Sequence, residues 1–201
     1  DFNRKGTSIY ASKLGKSIAP ADVTIIDDAT MPGSRGALNV DDEASDTERT
    51  VLVQNGVLQS YLHDRISARH YGVASTGSGR RESFRHPIMP RMRATYMEPG
   101  PHDPSDIIKA VKRGIYCEVF GNGAVQIGAG DFSFFVRHGR LIEDGKLTEH
   151  VKDVNLIGNG PEVLETISMV GNDLTIDQGG WTCGKDGQGV PVSQGLSLIH
   201  I

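Results

Sequence analysis

The sequence has few cysteines, no long apolar run and no excess of positive charge, and each absence excludes a class of protein. Two cysteines among 201 residues, Cys117 and Cys183, are too few for a disulfide-stapled fold and favour a reducing cytoplasm. No apolar run is long enough to form a membrane-spanning helix. Because 21 Lys and Arg stand against 25 Asp and Glu, the net charge of −4 argues against binding to nucleic-acid phosphates. We therefore expect a cytoplasmic protein that binds neither nucleic acid nor membranes.

Glycine is abundant, with 25 of 201 residues, which predicts many tight turns. Asn55-Gly56 and Asp144-Gly145 each separate two extended runs and predict β-hairpins, because both residues of such turns need a positive φ. Short helices are predicted over residues 62–71, after the capping residue Asp103, and over residues 161–169. Strands outnumber helices. The sequence thus predicts an α+β fold, a mostly antiparallel β-sheet with hairpins and a few short helices.

Several polar or glycine-rich segments predict loops. The glycine pairs at 121–123 and 158–160 do not complete the G-x-G-x-x-G pattern of dinucleotide-binding proteins, so both are predicted to be turns. Residues 73–93 predict a long loop, and residues 179–194 predict irregular structure. The acidic residues in the stretch 41–48 are interpreted as a solvated loop, with binding of a cation or a peptide amine as the alternative.

Three features could carry chemistry. The seven histidines lack the spacing of a shared metal site and are interpreted as surface or capping residues. Arg80 and Arg81 lie in the long loop and suit recognition of carboxylates or a peptide backbone, although a solvated loop is the alternative. Cys183 lies among glycines with Lys185 two residues on, an environment that favours a thiolate. A lone cysteine can equally be an inert buried thiol, so the residues alone leave both interpretations open.

Seven segments, in order, resemble the C-terminal part of the TldD/PmbA family of zinc metallopeptidases, on the TldD side. They are DFNRKGTS (1–8), RGALNVDDE (35–43), TGSGRRES (76–83), MPRM (89–92), LIGNGPE (156–162), SMVGND (168–173) and TCGKDGQ (182–188). The resemblance reaches about residue 192. It implies a C-terminal domain over residues 1–192, followed by an atypical tail, 193–201, for which a cloning or sequencing artefact is one interpretation.

The resemblance implies a zinc-dependent peptidase that cleaves extended or unfolded peptides, with Zn²⁺ as its cofactor. In the family, two histidines of a His-Glu-x-x-x-His helix and a cysteine near the C-terminus hold the metal. The matching cysteine is Cys183, whereas Cys117 lies outside the motif. The helix and its general-base glutamate are expected upstream of Asp1, so we expect the chain to begin inside a larger protein and to be inactive by itself.

Further expectations follow from the same resemblance. The peptidase should form a homo- or hetero-oligomer with a related PmbA-like chain, and the alternative function is that of a non-catalytic paralogue or peptide-binding partner subunit. Arg80 and Arg81 are candidates for binding the carboxylates of a peptide substrate. If Cys183 is a zinc ligand, its thiol should be partly accessible and the first few residues should lie within roughly 15–20 Å of it.

Overall fold

The computed structural model describes residues 4–201, in which short helices accompany many short, mostly antiparallel strands. From residue 25 to residue 143 the strands are β1 (Ile25–Asp28), β2 (Arg49–Gln54), β3 (Val57–Leu58), β4 (Gly79–Arg80), β5 (Met89–Pro90), β6 (Ala94–Met97), β7 (Arg113–Val125) and β8 (Asp131–Glu143). The later strands are β9 (Lys146–Val151), β10 (Val154–Asn159), β11 (Met169–Val170), β12 (Thr175–Ile176), β13 (Thr182–Lys185), β14 (Gln188–Pro191), β15 (Ser193–Leu196) and β16 (Ile199–His200). The helices are α1 (Arg65–Tyr71), α2 (Pro104–Ala110) and α3 (Gly160–Thr166). The predicted α+β class is confirmed.

A six-stranded sheet in the order β12-β15-β6-β1-β2-β3 forms the centre of the fold. The predicted hairpin at Asn55-Gly56 joins β2 to β3, and its two turn residues have φ values of 49° and 78°. Glycine is also required at position 56 by space, because a Cβ there would lie 2.1 Å from the carbonyl oxygen of Ala19. The turn therefore fixes both the register of the hairpin and its contact with the preceding segment.

Two apolar clusters pack against this sheet. One contains Val23, Met97 and Val170, and the other contains Val53 and Leu58; Ile25 of β1 packs against both. Since one side chain contacts both clusters, the two clusters meet at Ile25. Residues 26–28 of β1 are consecutive and all buried, so this strand is covered on both faces.

An ion pair between Asp27 of β1 and Arg93 lies fully buried among these strands. The Arg93 guanidinium also donates to the carbonyl oxygen of Thr76 at 2.7 Å and to the hydroxyl of Thr50 at 3.0 Å. Asp27 accepts further hydrogen bonds from the backbone N–H of Arg93 and from the hydroxyl of Thr95. Both charges are therefore satisfied, and together they connect β1, β2, β6 and the loop that begins at residue 76.

A second sheet, in the order β10-β8-β7 with β9 also paired to β8, includes the predicted hairpin at Asp144-Gly145. The predicted turn at 121–123 is wrong, because these residues lie inside the 13-residue strand β7 at a shift of register with β8. The ring of Phe134 covers Gly123 so closely that a Cβ there would lie 2.0 Å from it. The second glycine pair, at 158–160, is the junction between β10 and α3.

The helices follow their capping signals. Helix α1 begins three residues later than predicted, where the side chain of Asp64 accepts from the backbone N–H of Ser67, and it ends at Gly72. Helix α2 begins after Asp103, as predicted. Among residues 4–201, none of the helices is long and apolar enough to cross a membrane.

Residues 193–201 take part in two of the sheets. Strand β15 pairs in parallel with β6 and antiparallel with β12, and β16 pairs with β11. The hydroxyl of Ser193, which is buried, accepts from the backbone N–H of Arg35 at 2.9 Å. The domain boundary at residue 192 stays a prediction.

Candidate functional site

Cys183 lies on a hairpin formed by β13 and β14, so the prediction that residues 179–194 are irregular is wrong. Asp186 and Gly187 form the turn with φ values of 49° and 73°, and Cys183 is paired with Val190. This Asp-Gly turn carries the same signal as the two predicted hairpins, but its flanking strands are rich in glycine and lack apolar alternation. Cys183 and Lys185 are partly buried and share one face of β13, whereas Thr182 and Gly184 are exposed. Cys183 as a whole residue is partly exposed, and the accessibility of its thiol stays a prediction.

Arg91 fixes this hairpin from within the protein. Arg91 is 2% exposed. Its Nη2 donates to the carbonyl oxygen of Cys183 in β13 and, at 3.3 Å, to the carbonyl oxygen of Gln188 in β14. The backbone N–H of Arg91 donates to the carbonyl oxygen of Ser78 at 2.9 Å, which anchors the arginine in turn. The buried guanidinium of Arg91 therefore joins the two strands of the hairpin and helps to fix the Cys183 backbone.

Two other N–H-bearing atoms of Arg91, Nε and Nη1, are buried and have no hydrogen-bond partner among residues 4–201. A buried charged group with unsatisfied donors is destabilising, commonly by more than about 1–3 kcal/mol. Sequence reasoning included Arg91 only as part of the MPRM segment, and no local signal showed its role.

Arg80 is buried beside the same hairpin, with 4% of its surface exposed. Its Nη1 donates to the carbonyl oxygen of Met92 at 2.7 Å, and its Nη2 donates to that of Pro191 at 2.9 Å. Burial, followed by repulsion from Arg91, lowers the pKa of Arg80 below its ordinary value. Arg80 thus holds the end of β14, and its predicted contact with substrate carboxylates is not tested by these bonds.

Lys185 adds a third cation near Cys183. Its Nζ donates to the carbonyl oxygen of Pro90 at 3.3 Å. Burial, followed by repulsion from Arg91, lowers the pKa of Lys185, and both Lys185 and Arg80 are attracted electrostatically to Cys183. Lys185 and Arg80 thus place two cations beside the hairpin that carries Cys183.

Residues 73–93, which we predicted to be one long loop, contain the paired strands β4 and β5, and this segment holds the beginning of β14. Its Glu82 accepts from the backbone N–H of Gly189 at 2.6 Å, and the side-chain amide of Gln188 donates to the carbonyl oxygen of Pro87 at 2.9 Å. These contacts join segments about a hundred residues apart in the chain. This segment and the Cys183 hairpin therefore hold each other in place.

The acidic stretch at 41–48 is more than a solvated loop, because its carboxylates order this region. Asp41, which is 6% exposed, accepts from the backbone N–H of Gly79 at 2.9 Å. Asp42 accepts from the backbone N–H of Arg81 at 2.9 Å, and the side chain of Arg81 is partly exposed. The carboxylates that were candidates for cation binding thus satisfy backbone donors on both sides of Arg80.

The described residues do not form a complete metal site. No group of three or more His, Cys, Asp or Glu side chains within residues 4–201 is placed to hold a metal ion. Cys117 lies in β7, where burial raises the pKa of its thiol and so opposes ligation. The expected closeness of the first few residues to Cys183 concerns positions 1–3, which lie outside the described residues.

His63 is not the surface or capping residue that we predicted. It is 4% exposed and packs between the rings of Tyr61 and Tyr71, with its Nδ1 3.2 Å from the hydroxyl of Ser67. Burial lowers the pKa of His63 from its ordinary value of about 6.5. No local sequence pattern predicts the burial of His63, because Tyr61 precedes α1 and Tyr71 lies at the end of that helix.

We expect the stability that neutral His63 provides to be complete above about pH 6.5 and to be lost as the pH falls through its lower folded pKa. Between these values the unfolded chain binds the additional proton. Urea unfolding at pH 8 and pH 5 should therefore show a smaller loss of free energy of unfolding in His63→Gln than in the unchanged protein. Equal losses in the two proteins would contradict this assignment.

Comparison with known proteins identifies the family of this chain. The family model of the PmbA/TldA metallopeptidase C-terminal domain matches residues 1–194. A protein of Buchnera aphidicola subsp. Acyrthosiphon pisum, named metalloprotease TldD homolog, is 48% identical over 201 residues, which are 100% of this chain and 42% of that protein. A protein of Saccharolobus solfataricus, named zinc metalloprotease TldD homolog, is 31% identical over 161 residues, which are 80% of this chain and 36% of that protein.

A solved structure shares the fold. The crystal structure of TldE from Thermococcus kodakarensis has a TM-score of 0.74 and 27% sequence identity, and the match covers 96% of this chain and 42% of that one. The chain therefore spans less than half the length of these relatives. With the family model matching nearly every residue, the chain belongs to the PmbA/TldD metallopeptidase family, of which it carries the C-terminal domain.

Proposed function

We propose that this chain is the C-terminal part of a zinc-dependent peptidase and that Cys183 is the zinc ligand it contributes. The observation that carries the proposal is the position of Cys183, partly accessible on a hairpin whose backbone is held by buried Arg91. A soft thiolate ligand suits Zn²⁺. The name of the Saccharolobus solfataricus relative supports zinc as the metal.

When bound, the zinc ion would supply a Lewis acid that activates water and polarises a peptide carbonyl. The residues of this chain prepare for that chemistry. Arg91 holds the carbonyl groups of Cys183 and Gln188, and Arg80 holds the carbonyl of Pro191. The general base is expected upstream of Asp1.

The substrate that we propose is an extended or unfolded peptide, held by adding a strand to a sheet edge. The assignment of Arg80 and Arg81 to its carboxylates stays a prediction. Arg81 is the better placed of the two, because its side chain is partly exposed whereas the guanidinium of Arg80 donates to two backbone carbonyls.

A cytoplasmic location and a related partner subunit complete the proposal. Both cysteines are free thiols, in agreement with a reducing compartment. The solved TldE structure supports a related subunit as the partner. A non-catalytic role for this chain is the alternative, but the identity of 48% to a protein named as a TldD metalloprotease, against 27% to TldE, favours the catalytic subunit.

We expect residues 1–201 alone to show no peptide hydrolysis, because one thiolate cannot close a zinc site and no three His, Cys, Asp or Glu side chains among the described residues are placed to hold a metal ion. The longer natural protein that contains the upstream segment should hydrolyse unfolded peptides and lose this activity when a chelator removes the metal. Hydrolysis is measured with a fluorogenic unfolded peptide. Chelator-sensitive turnover by residues 1–201 alone, or chelator-resistant turnover by the longer protein, would contradict the proposal.

A further inference from the structure

The second sheet, formed by β7 to β10, has an open apolar face next to the turn that joins β7 to β8. Ile157 of β10 is 73% exposed and is paired with Ser133 of β8, which is paired with Ala124 of β7. Phe135 lies two residues along β8 from Ser133, so it is on the same face, and it is 36% exposed. None of these four residues, which we call the sheet-tip face, is charged.

Two features indicate that protein covers the sheet-tip face. The opposite face is already covered by α3, since Gly158 is adjacent to Ile157 and a Cβ at Gly158 would lie 3.5 Å from Val163. Strand β7 is an edge that, among the described strands, pairs only with β8, and residues 119–125 include neither a charged residue nor a proline to protect it. An exposed apolar face beside an unprotected edge is typical of an interface.

We propose that the part of the longer protein that precedes residue 1 packs on the sheet-tip face. The segment 8–10 lies at the same end of the sheet, because the backbone N–H of Ile9 donates to the carbonyl oxygen of Gly128, in the turn between β7 and β8, at 2.9 Å. Ser8 also lines one cavity together with Ile127 and Gly128. The polypeptide before residue 8 is therefore attached beside the sheet-tip face.

This attachment favours the preceding part over a separate subunit as the occupant. The chain spans less than half the length of its relatives, and the family model describes a C-terminal domain, so the preceding part is large enough to cover a sheet face. A segment tethered next to its binding surface has an effective concentration of about millimolar, at which modest apolar contacts suffice. The inference rests on the proposed function only for the existence of the longer protein, and it requires neither zinc nor peptidase activity.

Cysteine labelling of the longer protein tests whether the sheet-tip face is covered. Ile157→Cys and Ser133→Cys are treated with N-ethylmaleimide, and peptide mass spectrometry measures the rate at each position separately from the natural cysteines. Val73→Cys is the matched control, because Val73 is 51% exposed and follows α1, outside this sheet. We expect both sheet positions to react about tenfold or more slowly than the control, as burial of one apolar side chain implies. Rates equal to that of the control would overturn the inference.

A charge on the sheet-tip face should remove this protection. In the double variant of Ile157→Lys with Ser133→Cys, we expect the labelling rate at position 133 to rise about tenfold, because a buried lysine opposes packing of an apolar surface. Val73→Lys with Ser133→Cys is the control and should keep the slow rate. Circular dichroism verifies that both double variants are folded. An unchanged rate in the Ile157→Lys variant would show that nothing packs on this face.

Dilution and metal removal separate this inference from its alternatives. Protection by the preceding part is intramolecular, so the labelling rates should not depend on protein concentration. Protection that is lost on dilution would identify a separate subunit as the occupant and would overturn the inference. Protection that persists in a longer protein without chelator-sensitive peptide hydrolysis would refute the proposed function but support the packing described here.

Discussion

Replacing Arg93 by methionine should lower the free energy of unfolding by about 3–5 kcal/mol, because Asp27 would keep a buried charge without its partner. Both side chains are fully buried, so water cannot take the place of the guanidinium. The same change removes the donors to the carbonyl of Thr76 and the hydroxyl of Thr50. The loss therefore affects the central sheet and the loop that leads to Arg80.

Urea unfolding of the protein at neutral pH measures this effect. Arg113→Met is the matched control, since Arg113 is exposed at the start of β7, and it should change the free energy of unfolding by no more than about 0.5 kcal/mol. The double variant Asp27→Leu with Arg93→Met should be more stable than Arg93→Met alone, because it leaves no buried charge unpaired. A loss of less than about 1 kcal/mol in Arg93→Met would show that the pair is not the anchor described above.

Replacing Cys183 by serine in the longer, metal-containing protein should reduce zinc affinity and peptidase activity by about 100-fold or more. Loss of a group in the outer shell of a metal site already costs about 10- to 100-fold in affinity or activity, and a direct ligand should cost at least as much. The serine hydroxyl is a weak ligand at neutral pH. Its size is close to that of the thiol, so the hairpin held by Arg91 should stay folded.

Zinc content by mass spectrometry and competition with a chromogenic chelator measure the affinity independently of activity. Cys117→Ser is the matched control because it makes the same chemical change in β7, outside the site, where burial raises the pKa of the thiol. We expect this control to keep its zinc. Retention of full zinc affinity in Cys183→Ser, or its loss in Cys117→Ser alone, would show that the wrong cysteine has been assigned.

Elements with a local signature could be predicted from the sequence. The turns at Asn55-Gly56 and Asp144-Gly145 need a positive φ at both residues, and the helix after Asp103 begins with a cap, so each is specified by a few adjacent residues. The turn at Asp186-Gly187 has the same signature, but the flanking strands are rich in glycine and lack the apolar alternation from which strands are predicted. The glycines at 121–123 predicted a turn, but they lie within a strand, where they accommodate an aromatic ring and a shift of register.

The candidate site depended on contacts between distant segments, which no local pattern records. Cys183 was identified by family resemblance, since its immediate neighbours fit an inert thiol as well as a ligand. Arg91 and Arg80 became supports of the site only when the fold placed them under β13 and β14. The backbone contacts of Asp41 with Gly79, and the pairing of Asp27 with Arg93, likewise join residues that are far apart in the chain.

The position of β15 makes folding depend on the direction of synthesis. This strand lies between β6 and β12, and Ser193 pairs with Ala94, which leaves the ribosome long before it. Until residues 193–196 emerge, one edge of β6 has unpaired backbone groups, and such an edge is a template on which other nascent chains can add strands. A ribosome that stops short of β15 therefore releases a chain whose central sheet is open to aggregation.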